Sequence, residues 1–291
     1  MKGLIITNPY DTSDVQLNKR TRMLCEFANL GVDMRVLSND LFLTRIENGK
    51  IVSGVSDDFV LYFDKDKYVA RMLEKCGFRV FNSASATEIC DDKILTHISL
   101  ANCGVAMPKT LSGALCYKND GEISKEYLNS VIDLLGLPLV VKECHGSFGE
   151  QVYLVRRADE LFETVRKIKF KPYLFQQYIK KSSGKDMRVI VIGGKAVCAM
   201  LRRNSHDFRS NIQHGGLAEA AEIPDDIRLL CEKCARVIGL DYCGIDVLLG
   251  DEPLVCEVNS NAMFEAMERA TGVNVAELYA KHIVKSVTEN K

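Results

Sequence analysis

Two runs near the C-terminus decide the reading: Gly244-Ile245-Asp246-Val247-Leu248 and, after Gly250-Asp251-Glu252-Pro253, Leu254-Val255-Cys256-Glu257-Val258-Asn259. Both are strands by their apolar, β-branched content. The turn-rich gap joins them as a hairpin and sets Asp246 across from Glu257. Residues two apart on a strand share a face, so Asn259 stands beside Glu257. A carboxylate inside an apolar strand is costly unless a cation or a strong partner meets it. A single such acid reads best as a salt-bridged strand residue. The three converging oxygen donors Asp246, Glu257 and Asn259 read best as a seat for a hard cation such as magnesium.

Working upstream, the spacing predicts strands over 187–192 and 196–201, a helix over 225–238 and a closing helix over 275–287. Before them come a helix over 125–135, a buried strand over 139–142, a strand over 152–155, a helix over 158–168 and an extended segment over 173–179. The first third alternates: strand 3–7, helix 15–30 with Gly31 after it, strand 34–37, strand 59–63, helix 67–76 with Gly77 after it, and strand 79–81. A helix–glycine–strand rhythm implies βα units and a mostly parallel sheet. Residues 82–87 read as a linker leading into a helix that runs through Asp91-Asp92-Lys93 to Asn102. The fold class is α/β, becoming α+β toward the C-terminus. The turn after the first strand, Asn8-Pro9-Tyr10-Asp11-Thr12-Ser13, has no glycine cluster to cradle a pyrophosphate, which argues against a nicotinamide-dependent oxidoreductase.

Composition narrows the classes further. A net charge of -1 supplies no global basic field, so neither nucleic acid nor an anionic membrane is an expected partner. No apolar run approaches a membrane span, and the apolar start at Leu4-Ile5-Ile6 is too short for a secretory signal. The 11 cysteines are scattered through apolar patterns, as expected of small buried residues in a reducing cytoplasm. Cys231 and Cys234 form a lone CxxC inside the helix over 225–238, where packing is the better reading than metal. There is no HExxH and no GxSxG, and the five histidines show no ligand spacing.

Three further signals accompany the hairpin. Lys142 ends a buried strand and is followed by Gly146-Ser147-Phe148-Gly149, where glycines let backbone N–H groups approach phosphate. A plain hairpin turn is the alternative. Gln176-Gln177-Tyr178-Ile179 is an extended segment able to offer backbone groups to a purine edge. Arg188, Arg202, Arg203 and Arg209 form a cationic set that is either a solvated rim or an anion site.

Their order along the chain carries more than any one of them. Lys93, Lys142 with its glycine loop, Gln176-Gln177-Tyr178-Ile179, Asp186-x-Arg188, Arg209-Ser210-Asn211, Asp246 and Glu257-x-Asn259 resemble, over roughly residues 80 to 285, the ATP-grasp ligases of the RimK-like (ribosomal-protein glutamate ligase) group. The resemblance implies an N-terminal Rossmann-like pre-ATP-grasp domain (1–82), a central subdomain with the phosphate loop (83–179) and a C-terminal subdomain with the metal site (180–291). The last two are α+β units clasping ATP. It implies that Lys93 and Lys142 neutralise phosphates, with Ser147, Phe148 and Gly149 closing over them. Gln176, Gln177, Tyr178 and Ile179 would hold adenine, with Asp186 near the ribose. Asp246, Glu257 and Asn259 would bind two Mg2+ ions, replaceable by Mn2+. Arg209 and Asn211 would face the transferred phosphoryl group, with Arg188, Arg202 and Arg203 near. The implied activity joins a small-molecule or peptide carboxylate to an amino-acid amine through an acyl phosphate, with association of copies as a further expectation. A non-catalytic ATP-binding regulatory or scaffold protein is the other reading. Two positions depart from the glutamate-adding members: Gln177 stands where they carry an acid, and Phe148 is closer to the amino-group-carrier ligases of lysine biosynthesis. Phe208-Arg209-Ser210-Asn211 matches the glutamate ligases.

Overall fold

The structure is a computed structural model and describes residues 1–41, 44–118 and 121–289. The N-terminal unit runs β1 (Lys2–Thr7), α1 (Asp14–Asn29), β2 (Asp33–Ser38), β3 (Arg45–Glu47), β4 (Lys50–Val52), β5 (Phe59–Phe63), α2 (Lys67–Lys75) and β6 (Arg79–Phe81). Its sheet has the order β2-β1-β5-β6 and is parallel throughout, as the βα rhythm required. Alternation splits its residues between two cores. Leu4, Ile6, Val60 and Tyr62 pack with Ala70 and Leu73 of α2, while Ile5, Phe59 and Leu61 pack with Met23 and Phe27 of α1.

Two helices follow, α3 (Ala84–Asp91) and α4 (Lys93–Leu100). The linker expected over 82–87 is therefore mostly helix. Ser83 caps it, its Oγ accepting from the Ala86 N–H at 3.2 Å. The single helix expected through Asp91 to Asn102 is broken at Asp92, whose carboxylate accepts from the N–H groups of Ile94 (2.9 Å) and Leu95 (3.2 Å). That break places Lys93 in the first turn of α4. Ala86 and Leu100 share a core with the C-terminal sheet, while His97 of α4 meets Gln176 near the 173–177 segment, so residues 84–100 touch both the C-terminal and the central part of the chain.

The central sheet comprises β7 (Thr110–Ser112), β8 (Leu139–Glu143), β9 (Val152–Val155) and β10 (Tyr173–Gln177), in the order β7-β10-β8-β9 and antiparallel. Helices α5 (Lys125–Leu135) and α6 (Ala158–Ile168) cover one face through Leu139, Val141, Tyr173 and Phe175. Period-two alternation leaves Val140, Lys142 and Gln176 for the opposite face. The C-terminal sheet comprises β11 (Lys185–Ile192), β12 (Lys195–Arg203), β13 (Leu217–Ala221), β14 (Tyr242–Leu249) and β15 (Pro253–Asn259), in the order β13-β12-β11-β14-β15. Helix α7 (Asp225–Ile238) buries Cys231, Cys234 and Ala235 against Val189, Ile245 and Val247 on one face. The helices α8 (Glu265–Thr271) and α9 (Val275–Glu289) complete the chain, and Tyr279 and Ile283 of α9 join the N-terminal core to the C-terminal sheet. No helix among the described residues is long and apolar enough to cross a membrane.

Cys231 and Cys234 are free thiols buried in helix packing, as the sequence implied. The short strands β3, β4, β7 and β13 were not expected. They are edge or hairpin pieces, too brief to show a period.

Candidate nucleotide and metal site

The cleft between the central and C-terminal sheets is built from their inner faces. From the central sheet come Val140, Lys142 and Gln176; from the C-terminal sheet come Asp186, Arg202, Asp246, Leu248, Cys256 and Glu257. Lys93, Gly146, Ser147, Gly149 and Gln151 of the loop, Gln177, Tyr178, Ile179 and residues 208–211 also line it, whereas Phe148 does not. Val140, Leu248 and Cys256 are apolar walls that were not among the expected site residues. For Val140 and Leu248 the signal is the alternation itself, since each lies two residues from a charged residue on the same strand.

The hairpin register is as expected: Asp246 pairs with Glu257 and Gly244 with Asn259. One feature was not foreseen. The register shifts between Asp246 and Val247, which pair with Glu257 and Val255 and leave Cys256 as an extra residue. Such a bulge re-aims side chains. It lets the neighbours Cys256 and Glu257 both line the cleft, where strict alternation would have turned one away.

A chain of charges crosses this sheet. Arg188 donates from Nε to Asp246 Oδ1 at 2.6 Å and from Nη2 to Oδ2 at 2.7 Å. Arg202 Nη2 lies 3.0 Å from Asp246 Oδ2 and also pairs with Asp186, its Nε 2.8 Å from Oδ1. Burial alone would push the Asp246 carboxyl up, but the guanidinium groups of Arg188 and Arg202 outweigh it and hold it at about 2. Burial likewise works against the charge on Arg202, and Asp246 and Asp186 overcome it, raising its pKa above the usual arginine value. Asp186 therefore lines the cleft with each of its oxygens accepting one hydrogen bond from Arg202, which positions that guanidinium. Arg203 is a correction. It follows Arg202 on β12, so alternation turns it to the other face, where it is exposed and pairs with Glu219 at 3.1 Å. Arg202, not Arg203, reaches the cleft.

Lys142 is buried, with its Nζ 3.3 Å from Cys256 Sγ. No carboxylate lies within ion-pair range of it among the described residues. Lys93 donates to the Gly146 carbonyl at 3.1 Å and stands 3.6 Å from Glu257. The loop closes onto the opposite wall: Arg209 Nη1 donates to the Gly149 carbonyl at 2.7 Å. Gly149 adopts φ +78°, and a Cβ there would stand 2.9 Å from Asn211 Oδ1, so glycine is required for this contact. Phe148 also has positive φ (+61°) and is exposed. Gln176 points its amide at buried groups, with Nε2 3.1 Å from His97 Nε2 and 3.0 Å from Thr110 Oγ1. Burial, then the charge of Lys142, pulls the His97 pKa down to about 4, so the ring is neutral and accepts from Gln176. The Gln176 side-chain amide is thus held by His97 and Thr110, while Gln177, Tyr178 and Ile179 line the cleft beside it.

These residues fit a magnesium–nucleotide complex. Lys142 is a buried cation without an anion. The Asn259 Nδ2 is buried without a hydrogen-bond partner among the described residues. Nitrogen and oxygen of an amide are interchangeable by a half-turn, and that turn would offer Oδ1 instead. Asp246 Oδ1 accepts one hydrogen bond and retains a second lone pair. No cluster of three His, Cys, Asp or Glu side chains able to hold a metal exists among the described residues. A cation here would draw on two carboxylates, an amide and the phosphates themselves.

Comparison with known proteins agrees with this geometry. The RimK-like ATP-grasp domain profile matches residues 90–283. Human N-acetylaspartylglutamate synthase A is 35% identical over 223 residues, covering 75% of this chain and 56% of that protein. The chain thus spans little more than half the length of that relative. Human beta-citrylglutamate synthase B is 32% identical over 270 residues, covering 86% of this chain and 68% of that protein. Among solved structures, the D-alanine–D-alanine ligase of Bacillus anthracis complexed with ATP superposes with TM-score 0.76 at 19% identity, covering 100% of this chain and 98% of that one, which is a likeness of fold. With the profile spanning most of the chain and the inner faces of both sheets carrying its charged residues, the chain belongs to the RimK-like ATP-grasp family.

Proposed function

We propose that this protein is an ATP-dependent carboxylate–amine ligase. It forms an amide through an acyl phosphate, releases ADP and phosphate, and adds an amino acid such as glutamate to a peptide, carrier or small-molecule carboxylate. The observation that carries the reading is the convergence in one cleft of Lys93, Lys142, Arg202 and Arg209 with the oxygen donors Asp246 and Glu257. The glutamate in the names of the two human relatives supports the choice of amino acid.

A carboxylate is a poor electrophile because oxide is a poor leaving group. Phosphorylation replaces it with phosphate, which an amine can displace. Phosphoryl transfer needs positioning and charge neutralisation more than covalent help from the protein. Lys142 from β8 and Lys93 from the first turn of α4 would bind phosphate oxygens. Arg209 ties the loop down over the cleft, with Asn211 beside Gly149, and a closed loop would exclude water that would hydrolyse the acyl phosphate. Asp246, Glu257 and Asn259 would hold magnesium, which supplies charge neutralisation between adjacent phosphates. Arg188 and Arg202 keep Asp246 ionised and oriented for that role.

The test is nucleotide product analysis with Mg2+, ATP and a panel of acid–amine pairs. ADP with stoichiometric phosphate, dependent on one pair, supports the ligase. AMP with pyrophosphate overturns the acyl-phosphate route. Tight ATP binding with no product from any pair favours the non-catalytic reading.

A further inference from the structure

We propose that the cleft between α1 and residues 263–268 binds a carboxylate group of a substrate, with the Lys19 ammonium as its anchor. The proposal rests on the ligase reading and adds to it a substrate-recognition residue outside the nucleotide cleft.

The cleft measures about 280 Å³, and its lining includes Asn18, Lys19, Arg22, Phe264 and two acids, Glu265 and Glu268, the second of them 3.6 Å from Arg22. Lys19 is only 3% exposed. Its Nζ donates to the side-chain oxygen of Asn261 and lies 3.4 Å from the Asn261 carbonyl. It also stands 4.3 Å from the centre of the Phe63 ring and 5.9 Å from that of Phe264. No carboxylate lies within ion-pair range of it among the described residues. Its neighbour Arg22 differs, being held by Glu26 at 3.1 Å and by Asn274 at 2.9 Å. Lys19 is therefore a buried cation on a cleft wall whose partners are amide oxygens and ring faces.

A buried charge is stable only when paired, and a lysine without a counter-ion loses its proton more easily. Burial indeed pulls the Lys19 pKa down to about 7. An entering carboxylate would supply the missing charge through a charge-assisted hydrogen bond. The position also suits a substrate. Asn261 lies in the turn two residues beyond Asn259, at most about 7 Å along the chain, so the anchor stands close to the metal end of the nucleotide cleft. The carboxylate could belong to the amino acid that attacks or to the acid that is activated, and the test separates these. The competing role is mechanical, with Lys19 tying α1 to the loop after β15.

The experiment compares the full chain with Lys19→Met and Lys19→Arg in the presence of Mg2+ and a non-hydrolysable ATP analogue. Thermal-shift titrations use L-glutamate, L-aspartate and citrate, together with the two monoamides of glutamate, glutamine and isoglutamine. The expected result is that a carboxylate stabilises the parent protein and that Lys19→Met weakens its apparent affinity about 10- to 100-fold, the worth of a hydrogen bond to a charged group. Lys19→Met should also abolish discrimination against one monoamide, which identifies the carboxylate held. In turnover assays the KM that rises, for amino acid or for acid, identifies the substrate. A Lys19→Met protein with lowered Tm but undiminished preference for the acid over its amides overturns the proposal in favour of the tether, as does a parent protein that responds to none of the three carboxylates. Should Lys19→Met fail to fold, NMR of 13Cε-lysine-labelled parent protein decides. A bound carboxylate must raise the Lys19 pKa, and a titration unchanged by saturating ligand overturns the proposal. Failure of the ligase reading looks different: carboxylate binding still senses Lys19, yet no acid–amine pair yields ADP.

Discussion

Arg188 and Asp246 occupy paired positions on β11 and β14 and meet through two hydrogen bonds of 2.6 and 2.7 Å, so the residue read as a metal ligand is also the hub of a buried ion network. Arg202 and Asp186 extend that network across β12. Two acids and two arginines balance, which is how the strand tolerates so much buried charge.

Removing one member should therefore cost stability. Arg202→Met is expected to destabilise the fold by about 3–5 kcal/mol, because it leaves Asp186 and Asp246 under-compensated. Arg203→Met, on the exposed face, should stay within about 0.5 kcal/mol. Urea unfolding of the two variants checks the contrast, and equal losses would refute the face assignment.

Glu257→Gln removes a charge but keeps the shape. Turnover should fall on the order of 100-fold or more, as expected when a metal seat loses an anionic ligand, while Tm changes little. Full activity at ordinary magnesium concentrations would sink the metal assignment.

Lys142→Met should weaken ATP binding about 10- to 100-fold without loss of Tm in the absence of nucleotide, since it removes a buried cation that has no carboxylate partner. Calorimetric titration with ATP and a thermal melt of the same sample give both numbers. A large drop in Tm would mean that Lys142 is structural.

Gly149→Ala forces a side chain onto a backbone at φ +78° and against Asn211. The strain is about 1 kcal/mol or more, and the loop should lift from Arg209. ATP turnover should drop at least about tenfold, with faster proteolysis of the loop. An unchanged rate would show that loop closure does not limit the reaction.

His97 links stability to pH. Its folded pKa is about 4, below the unfolded value near 6.5, so the unfolded chain binds the extra proton between those values. Stability should therefore rise with pH from 4 to 6.5 by up to about 3 kcal/mol and level off above. His97→Leu should flatten Tm against pH in that window. Asp246 acts lower: its depressed carboxyl stabilises above about pH 4, and that contribution is lost as pH falls toward 2.

What the sequence by itself determined was whatever depends on local periodicity. The βα rhythm of the first third, the helices α6 and α7, and the hairpin that sets Asp246 against Glu257 were all readable because burial on one face imposes a period of 2 or 3.6. The motif order was readable too, since each motif is a contiguous stretch. Tertiary structure decided the rest. Arg202 and Arg203 are neighbours of the same chemistry, and only the sheet's facing sent one into the cleft and the other to solvent. The bulge at Cys256, the break between α3 and α4 that aims Lys93, and the packing of Lys19 from α1 beside Asn261 depend on partners far away in sequence. Whether a buried charge has a counter-ion is a property of the folded surroundings, and no local pattern encodes it.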